Sequence, residues 1–169
     1  MELVLLGYMA SGKSTISKKL AKILDVDFID LDDYISEKEG DTIKNIFKNK
    51  GEIYFRIQEN KYLNELLNGE KNIVLAIGGG TPCYSNNMDL INKKATSIYL
   101  KATLNSLYTR LIQEKSERPL VSELNNDKLK EYIAKHLFER APFYERANYT
   151  ISIDDKSIED IIEEIQHLI

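Results

Sequence analysis

The residues best suited to chemistry lie near the start of the chain, where a glycine-rich segment follows a short apolar run. Residues 3–6 lead into Gly7, and the letters GYMASGKS that begin there have the spacing G-x-x-x-x-G-K-S. Such a loop turns successive backbone N–H groups toward an anion, and the helix that follows directs the positive end of its dipole at the same point. Lys13 can reach the β- and γ-phosphates of a nucleotide, and the hydroxyl of Ser14 can ligate Mg²⁺. The sequence therefore predicts a site for nucleotide phosphates.

A pair of carboxylates, Asp30 and Asp32, follows the second predicted strand at residues 26–29. If the chain is still extended there, side chains two residues apart point the same way. One carboxylate can hold a water of a Mg²⁺ shell and the other can orient a substrate hydroxyl. Alternatively, Asp32 or Asp33 only caps the following helix. An ordinary aspartate, with a pKa of about 3.9, is a poor base at neutral pH, so we expect Asp32 to orient the hydroxyl.

Three arginines stand out in a chain that mostly uses lysine as its cation: Arg56, Arg118 and Arg140. A planar guanidinium suits bidentate contacts with a carboxylate or a phosphate, so Arg56 and Arg140 can hold a substrate anion. Arg118 precedes a proline in a polar segment, from which it can close over the γ-phosphate on a lid. Arg110 can also reach the nucleotide. A surface ion pair is the alternative for each of them.

A second glycine loop, Gly78, Gly79 and Gly80, follows the apolar run at residues 72–77. Its backbone N–H groups can approach a substrate with no side chain in the way, although a plain structural turn is the alternative. The arginines alone fit either a carboxylate or a phosphate on the acceptor. Because Asp32 would repel a phosphate and accept hydrogen bonds from hydroxyls, the pattern favours a small hydroxylated acid.

The elements that must position these residues alternate between strand and helix along the chain. Strands are predicted at residues 3–6, 26–29, 72–77, 95–100 and 149–153, with helices between them, one of which covers residues 129–138. This order is typical of a three-layer αβα architecture with a central five-stranded parallel sheet. Such sheets bind ligands at the carboxyl ends of their strands, so the three loops are expected to share one edge.

Bulk properties exclude several classes of protein. The chain of 169 residues fits one domain, residues 1–169, and its net charge of -4 argues against nucleic-acid binding. No apolar run is long enough to span a bilayer, no signal peptide is recognisable, and a single cysteine fits a reducing compartment. We therefore expect a cytoplasmic protein without a membrane partner.

The ordered set of motifs resembles the shikimate kinase family, which has the P-loop kinase fold of nucleoside-monophosphate-kinase type. The resemblance runs nearly end to end. It comprises the segments GYMASGKST, FIDLDDYI, Gly51-Glu52 followed by Phe55-Arg56, Gly78-Gly79-Gly80, Arg118-Pro119-Leu120 and Arg140-Ala141-Pro142-x-Tyr144. A phosphate loop alone is shared by many unrelated NTPases, whereas this series is far more specific.

The resemblance implies ATP-dependent phosphorylation of the 3-hydroxyl of shikimate by a monomer with a mobile lid near residues 113–124. Asp32 would orient or deprotonate the hydroxyl, and Arg56 and Arg140 would bind the carboxylate together with the triple-glycine loop. Lys13 and Arg118 would stabilise the transferring phosphoryl group. Ser14 would ligate Mg²⁺, and Asp30 would reach it through water. The implied ATP-binding residues are Ala10, Ser11, Gly12, Lys13, Ser14, Thr15 and Arg118.

One residue departs from the family pattern, and two other functions stay open. Ala10 occupies a loop position that is often glycine in the family, and alanine is tolerated there if its φ is negative. A kinase of the same fold that acts on gluconate or a nucleotide is one alternative. The other is a nucleotide-binding regulatory protein without turnover, which the presence of Lys13, Asp32 and Arg118 argues against.

Overall fold

A five-stranded parallel sheet forms the centre of the protein. The structure is a computed structural model that describes residues 2–69, 72–113 and 124–169. The strands lie in the order β2-β3-β1-β4-β5, and every neighbouring pair is parallel. Their bounds are β1 (Glu2–Leu6), β2 (Asp27–Asp30), β3 (Ile73–Ala76), β4 (Thr96–Lys101) and β5 (Tyr149–Ser152). All five strands were expected from the sequence, with ends that differ by at most one residue.

Seven helices flank this sheet in the part of the chain that the structure describes. They are α1 (Lys13–Leu24), α2 (Leu31–Glu39), α3 (Ile43–Leu67), α4 (Asn87–Lys94), α5 (Leu104–Gln113), α6 (Asn126–Tyr144) and α7 (Ile158–Leu168), and a short 3₁₀ turn covers Thr81–Cys83. None of the described helices is long and apolar enough to cross a membrane. The three-layer αβα architecture with a parallel sheet is confirmed.

The two strands at the middle of the sheet carry the phosphate loop and the triple-glycine loop. All four residues of β3 and residues 3–6 of β1 are fully buried, as expected of strands covered by helices on both faces. Because both strands are parallel and paired in register, their carboxyl ends emerge side by side. Strand β2 pairs with the other side of β3 and ends at Asp30, so its loop meets the same edge.

Helix α3 is interrupted at Gly51. That residue has φ 83° and ψ 169°, which is not helical, and helical geometry resumes on its C-terminal side. A side chain at this positive φ would be strained, so glycine is the favoured residue. The break divides a short first part of α3 from a long second part that carries Arg56.

Helix α6 is longer than predicted, and this changes the position of two site residues. The pattern predicts residues 129–138, whereas the helix runs from Asn126 to Tyr144 with Pro142 inside it. A proline removes one hydrogen bond to the carbonyl four residues earlier, here that of Phe138, a residue on the exposed side where water can solvate the group. Arg140 and Tyr144 therefore lie one helical turn apart on the same face.

Candidate active site

A cleft of about 460 Å³ lies at the carboxyl edge of the sheet, where the three loops meet. Most of the predicted site residues line this cleft: Ala10, Gly12, Lys13, Ser14, Thr15, Asp30, Asp32, Gly78 and Gly79, together with Arg110. Ser11 is buried behind the loop. Gly80, Arg56 and Arg140 adjoin the glycine side of the cleft through contacts described below.

The phosphate loop is held in shape by its own lysine. The Nζ atom of Lys13 donates hydrogen bonds to the carbonyl oxygens of Gly7 and Tyr8, each at 2.8 Å. Gly12 caps the N-terminus of α1 with φ 83°, so the free N–H groups of that helix face the cleft. The loop is thus shaped for an anion, with a cation folded against its carbonyls.

Ala10 does not have the negative φ at which alanine would be tolerated in this loop position. Its φ is 62°, in the left-handed region where a Cβ crowds the following carbonyl. Its carbonyl oxygen accepts a hydrogen bond of 3.2 Å from Nη1 of Arg110, and this contact with α5 helps to hold the loop. The condition of a negative φ is therefore not met, and Ala10 adopts a conformation that favours glycine.

Asp30, and not Asp32 or Asp33, is the N-cap of α2. Its Oδ1 atom accepts a hydrogen bond of 3.1 Å from the backbone N–H of Asp32, and its Oδ2 atom accepts one of 2.8 Å from the hydroxyl of Ser14. The extended spacing expected for Asp30 and Asp32 does not occur, because α2 begins at Leu31. Both carboxylates still reach the cleft, since Asp32 lies in the first helical turn.

Ser14 and Asp30 together form a donor set suited to a hard cation. The hydroxyl and the carboxylate are already in hydrogen-bond contact beside the phosphate loop. Across the described residues, no cluster of three or more histidine, cysteine or acidic side chains could enclose a metal. Magnesium characteristically uses one or two protein ligands and takes the others from phosphates and water. The residues present fit that pattern.

Asp32 differs from an ordinary aspartate. Its carboxyl is largely enclosed by protein, and this burial, reinforced by the negative charges of Asp30 and Glu59, raises its pKa to about 6. The positive charge of Lys13 acts in the opposite direction and only partly offsets them. The ordinary pKa of about 3.9 assumed for Asp32 is wrong for this environment, whereas its role toward a substrate hydroxyl stays a prediction. A carboxylate with a pKa near 6 can accept a proton as well as orient a hydroxyl.

Arg56 is held by carboxylates on its own helix. Its Nη1 atom lies 2.8 Å from Oε2 of Glu59, and its Nη2 atom lies 3.3 Å from Oε1 of Glu52. The ring of Tyr84 lies 4.1 Å from the guanidinium carbon. These contacts fix the plane of the guanidinium in the free protein.

Glu59 adjoins the site, although it is not among the residues expected from the sequence. It is fully buried, and its second oxygen accepts a hydrogen bond of 2.6 Å from Oγ1 of Thr81, which follows the triple glycine. One carboxylate therefore joins Arg56 to the glycine loop. The spacing of three residues between Arg56 and Glu59 in a helix is a signal that could have revealed the pair.

The glycine loop passes directly against the arginines. A Cβ atom placed on Gly80 would lie 2.8 Å from Nη2 of Arg56, and one on Gly79 would lie 3.3 Å from Nη1 of Arg140. Any side chain on Gly80 would therefore displace the guanidinium of Arg56. The groups that approach these glycines in the free protein are arginine side chains. The approach of the loop's N–H groups to a substrate stays a prediction.

Arg140 is held differently from Arg56. It makes no ion pair with any described residue. Its guanidinium lies over the ring of Tyr8 and beside Tyr144, whose hydroxyl donates a hydrogen bond of 2.5 Å to the carbonyl of Gly79. The cation thus faces the glycine loop, and no carboxylate of the described residues neutralises it.

Arg118 and nearly all of the expected lid lie outside the residues that the structure describes. Of residues 113–124, only the first and the last are among the described residues. The role of Arg118 stays a prediction from the sequence.

Comparisons with known proteins find relatives that match nearly the whole chain. A model of the shikimate kinase family matches residues 9–169. A shikimate kinase of Flavobacterium johnsoniae is 44% identical over 165 residues, which cover 97% of this chain and 96% of the relative. The crystal structure of shikimate kinase from Bacteroides thetaiotaomicron superimposes with a TM-score of 0.93 at 35% identity and covers 99% of this chain and 97% of that chain. Shikimate kinase from Acinetobacter baumannii, solved in complex with shikimate, gives 0.88 at 33% identity over 99% and 91% of the two chains.

The left-handed conformation of Ala10 predicts that Ala10→Gly stabilises the protein. Glycine relieves the backbone strain at this position, but its greater freedom in the unfolded chain offsets part of the gain. The free energy of unfolding in urea titrations should therefore rise by about 0.5 to 1 kcal/mol. Ala134→Gly, inside the helix α6, should instead lower it by about 1 kcal/mol. A loss of stability in the Ala10 variant would contradict the assigned conformation.

The raised pKa of Asp32 predicts a pH-dependent gain of stability in Asp32→Asn. Because the folded protein holds this proton more tightly than the unfolded chain, the wild type loses stability as the pH rises from about 4 to 6 and does not regain it above 6. The variant should therefore be more stable at pH 7.5 by about 1 to 2 kcal/mol, and this difference should shrink toward pH 4.

Thermal unfolding at the two pH values measures this effect. Asp33→Asn is the matched control, since Asp33 is the exposed neighbour and its replacement should change stability little at either pH. A gain in the Asp32 variant that is the same at both pH values would contradict a raised pKa.

Proposed function

The chain belongs to the shikimate kinase family, and we infer from this premise that it transfers the γ-phosphoryl group of ATP to the 3-hydroxyl of shikimate. The products are ADP and shikimate 3-phosphate. Relatives that bear this name match the chain over nearly its whole length, and the family model covers the phosphate loop from residue 9 onward, both aspartates and both arginines that adjoin the cleft.

The observation that carries the proposal is the position of Asp32 between two kinds of anion site. On one side is the phosphate loop, and the charge of Lys13 acts on the Asp32 carboxyl. On the other side is the glycine loop, where a Cβ on Gly78 would lie 3.3 Å from Oδ1 of Asp32. A substrate hydroxyl that is hydrogen-bonded to Asp32 can therefore face the nucleotide phosphate, while the rest of the substrate extends toward the arginines.

We propose that the phosphate loop holds the donor. The N–H groups at the start of α1 bind the β- and γ-phosphates, and Lys13 exchanges its bonds to the Gly7 and Tyr8 carbonyls for bonds to phosphate oxygens. Ser14 would ligate Mg²⁺, and Asp30 would reach it through water. The bound cation supplies neutralisation of the phosphate charge.

The two arginines contribute differently to binding the carboxylate of the acceptor. Arg56 is already neutralised by Glu52 and Glu59, so it offers a fixed hydrogen-bonding plane more than a free charge. Arg140 has no carboxylate among the described residues, and its charge is available to the substrate. Arg140 is therefore expected to supply most of the electrostatic attraction for the carboxylate.

Asp32 accepts the proton that the reaction releases. The 3-hydroxyl oxygen forms a bond to the γ-phosphorus, and the bond from that phosphorus to the β,γ-bridging oxygen breaks. The hydroxyl proton moves to the Asp32 carboxylate, whose pKa near 6 makes it a better acceptor than an ordinary aspartate while it stays ionised at neutral pH. ADP leaves with the electrons of the broken bond.

Release of ADP from ATP, with and without shikimate, tests the proposed function directly. We expect ADP release that depends on shikimate, with gluconate and nucleoside monophosphates inactive as acceptors. Activity with one of those acceptors alone would favour the other kinase reading. Nucleotide binding without turnover on any acceptor would favour a regulatory protein.

Asp32→Asn should bind ATP nearly normally and lose turnover. The amide can still contact the hydroxyl but cannot accept its proton, so kcat should fall by roughly 10²- to 10⁴-fold. A kcat within about tenfold of wild type, or roughly 1.4 kcal/mol, would remove Asp32 from its central role. Steady-state kinetics with separate nucleotide-binding measurements distinguish the two effects.

Arg140→Ala should act mainly on acceptor binding. Loss of a charge-assisted hydrogen-bonding partner is worth about 1.5 to 3 kcal/mol, so the KM for shikimate should rise by roughly 10- to 150-fold while the KM for ATP changes far less. Arg146→Ala is the control, because Arg146 forms an exposed ion pair with Asp89. An unchanged KM for shikimate in the Arg140 variant would contradict the assigned contact.

A further inference from the structure

The question left by the acceptor half of the site is what fixes Arg140. A mobile arginine would lose side-chain entropy on binding a carboxylate, whereas a fixed one binds more tightly. Arg56 has Glu52 and Glu59 to orient it, but Arg140 has no such partner among the described residues. Its supports are aromatic.

One support is Tyr8, the second residue of the phosphate loop. The guanidinium carbon of Arg140 lies 5.6 Å from the centre of the Tyr8 ring, within the range of a cation–π contact. The Tyr8 side chain is only 1% exposed, so the contact is shielded from water, where such contacts are strongest. The loop motif leaves this position open, and therefore the motif itself does not require an aromatic residue there.

The hydroxyl of Tyr8 does not explain the choice of residue. It is buried and has no hydrogen-bond partner among the described residues. A buried hydroxyl without a partner costs stability, so it makes no favourable contribution to the fold. The ring is the part of Tyr8 that contributes.

The second support is Tyr144, which lies beside the guanidinium of Arg140. Tyr144, one turn along α6, bonds the carbonyl of Gly79, and a Cβ on Gly79 would lie 3.3 Å from Nη1 of Arg140 and 3.4 Å from the carbonyl oxygen of Gly7. Arg140 is therefore enclosed by the phosphate loop, the glycine loop and its own helix. Of these contacts, the Tyr8 ring is the one that comes from the donor half of the site.

We propose that Tyr8 is a positioning residue for the acceptor: its ring holds the guanidinium of Arg140 at the angle that receives the substrate carboxylate. This inference rests on the proposed function, since it assigns that carboxylate to Arg140. It makes the phosphate loop part of the acceptor site as well as the donor site.

The test compares Tyr8→Leu with Tyr8→Phe. Leucine removes the aromatic face, and the KM for shikimate should rise roughly 3- to 30-fold, the range that corresponds to a cation–π contact. The KM for ATP should rise much less. Phenylalanine keeps the face and loses only the unpaired hydroxyl, so it should retain the wild-type KM for shikimate and an equal or higher Tm.

A second comparison separates positioning from general damage. In an Arg140→Ala background, Tyr8→Leu should raise the KM for shikimate no further, because the ring acts through the arginine. Tyr62→Leu removes a buried tyrosine that bonds Glu39 away from the cleft, and it should lower Tm with little change in the KM for shikimate.

Three results would overturn the proposal. One is a Tyr8→Leu variant whose KM for shikimate is unchanged, another is a Tyr8→Phe variant as impaired as the leucine variant, and the third is an effect that persists in full without Arg140. If Tyr8→Leu does not fold, Tyr8→Met, which keeps most of the bulk without an aromatic face, gives the same comparison. A wild-type protein that does not use shikimate would defeat the proposed function instead.

Discussion

The site depends on the burial of one carboxylate beside other negative charges. Asp32 lies at the start of α2 in an environment that raises its pKa to about 6, mainly because burial disfavours its charged form. This burial lowers the stability of the folded protein, since removing a carboxylate from water is unfavourable unless it is neutralised. Lys13 lowers that cost only in part. The arrangement is what a proton acceptor near neutral pH needs, and it makes the start of α2 a place where stability and function conflict.

Two neighbouring carboxylates hold the loops on either side of Asp32. Glu59 connects Arg56 with Thr81 behind the glycine loop, and Asp30 connects the cap of α2 with Ser14 on the phosphate loop. Glu59 thus ties the glycine loop to α3, and Asp30 ties the phosphate loop to α2. A rigid site of this kind suits phosphoryl transfer, in which catalysis is mostly positioning and charge stabilisation.

Much of the fold and of the site follows from the sequence, because buried parallel strands and the phosphate loop have strong local signals. The sequence did not predict features that depend on tertiary contacts. The pKa of Asp32 depends on burial and on the distant Glu59, and the left-handed Ala10 is held in a turn by a contact from Arg110. The N-cap of α2 at Asp30 and the continuation of α6 through Pro142 also differ from what the local sequence predicts.

The most direct test of the account is the titration of the Asp32 carboxyl itself. The protein is labelled with ¹³C at aspartate carboxyl carbons, and the Asp32 resonance is identified by its loss in Asp32→Asn. The account predicts a midpoint near pH 6 in the free protein. A midpoint near 4, the ordinary value for an aspartate of about 3.9, would contradict it.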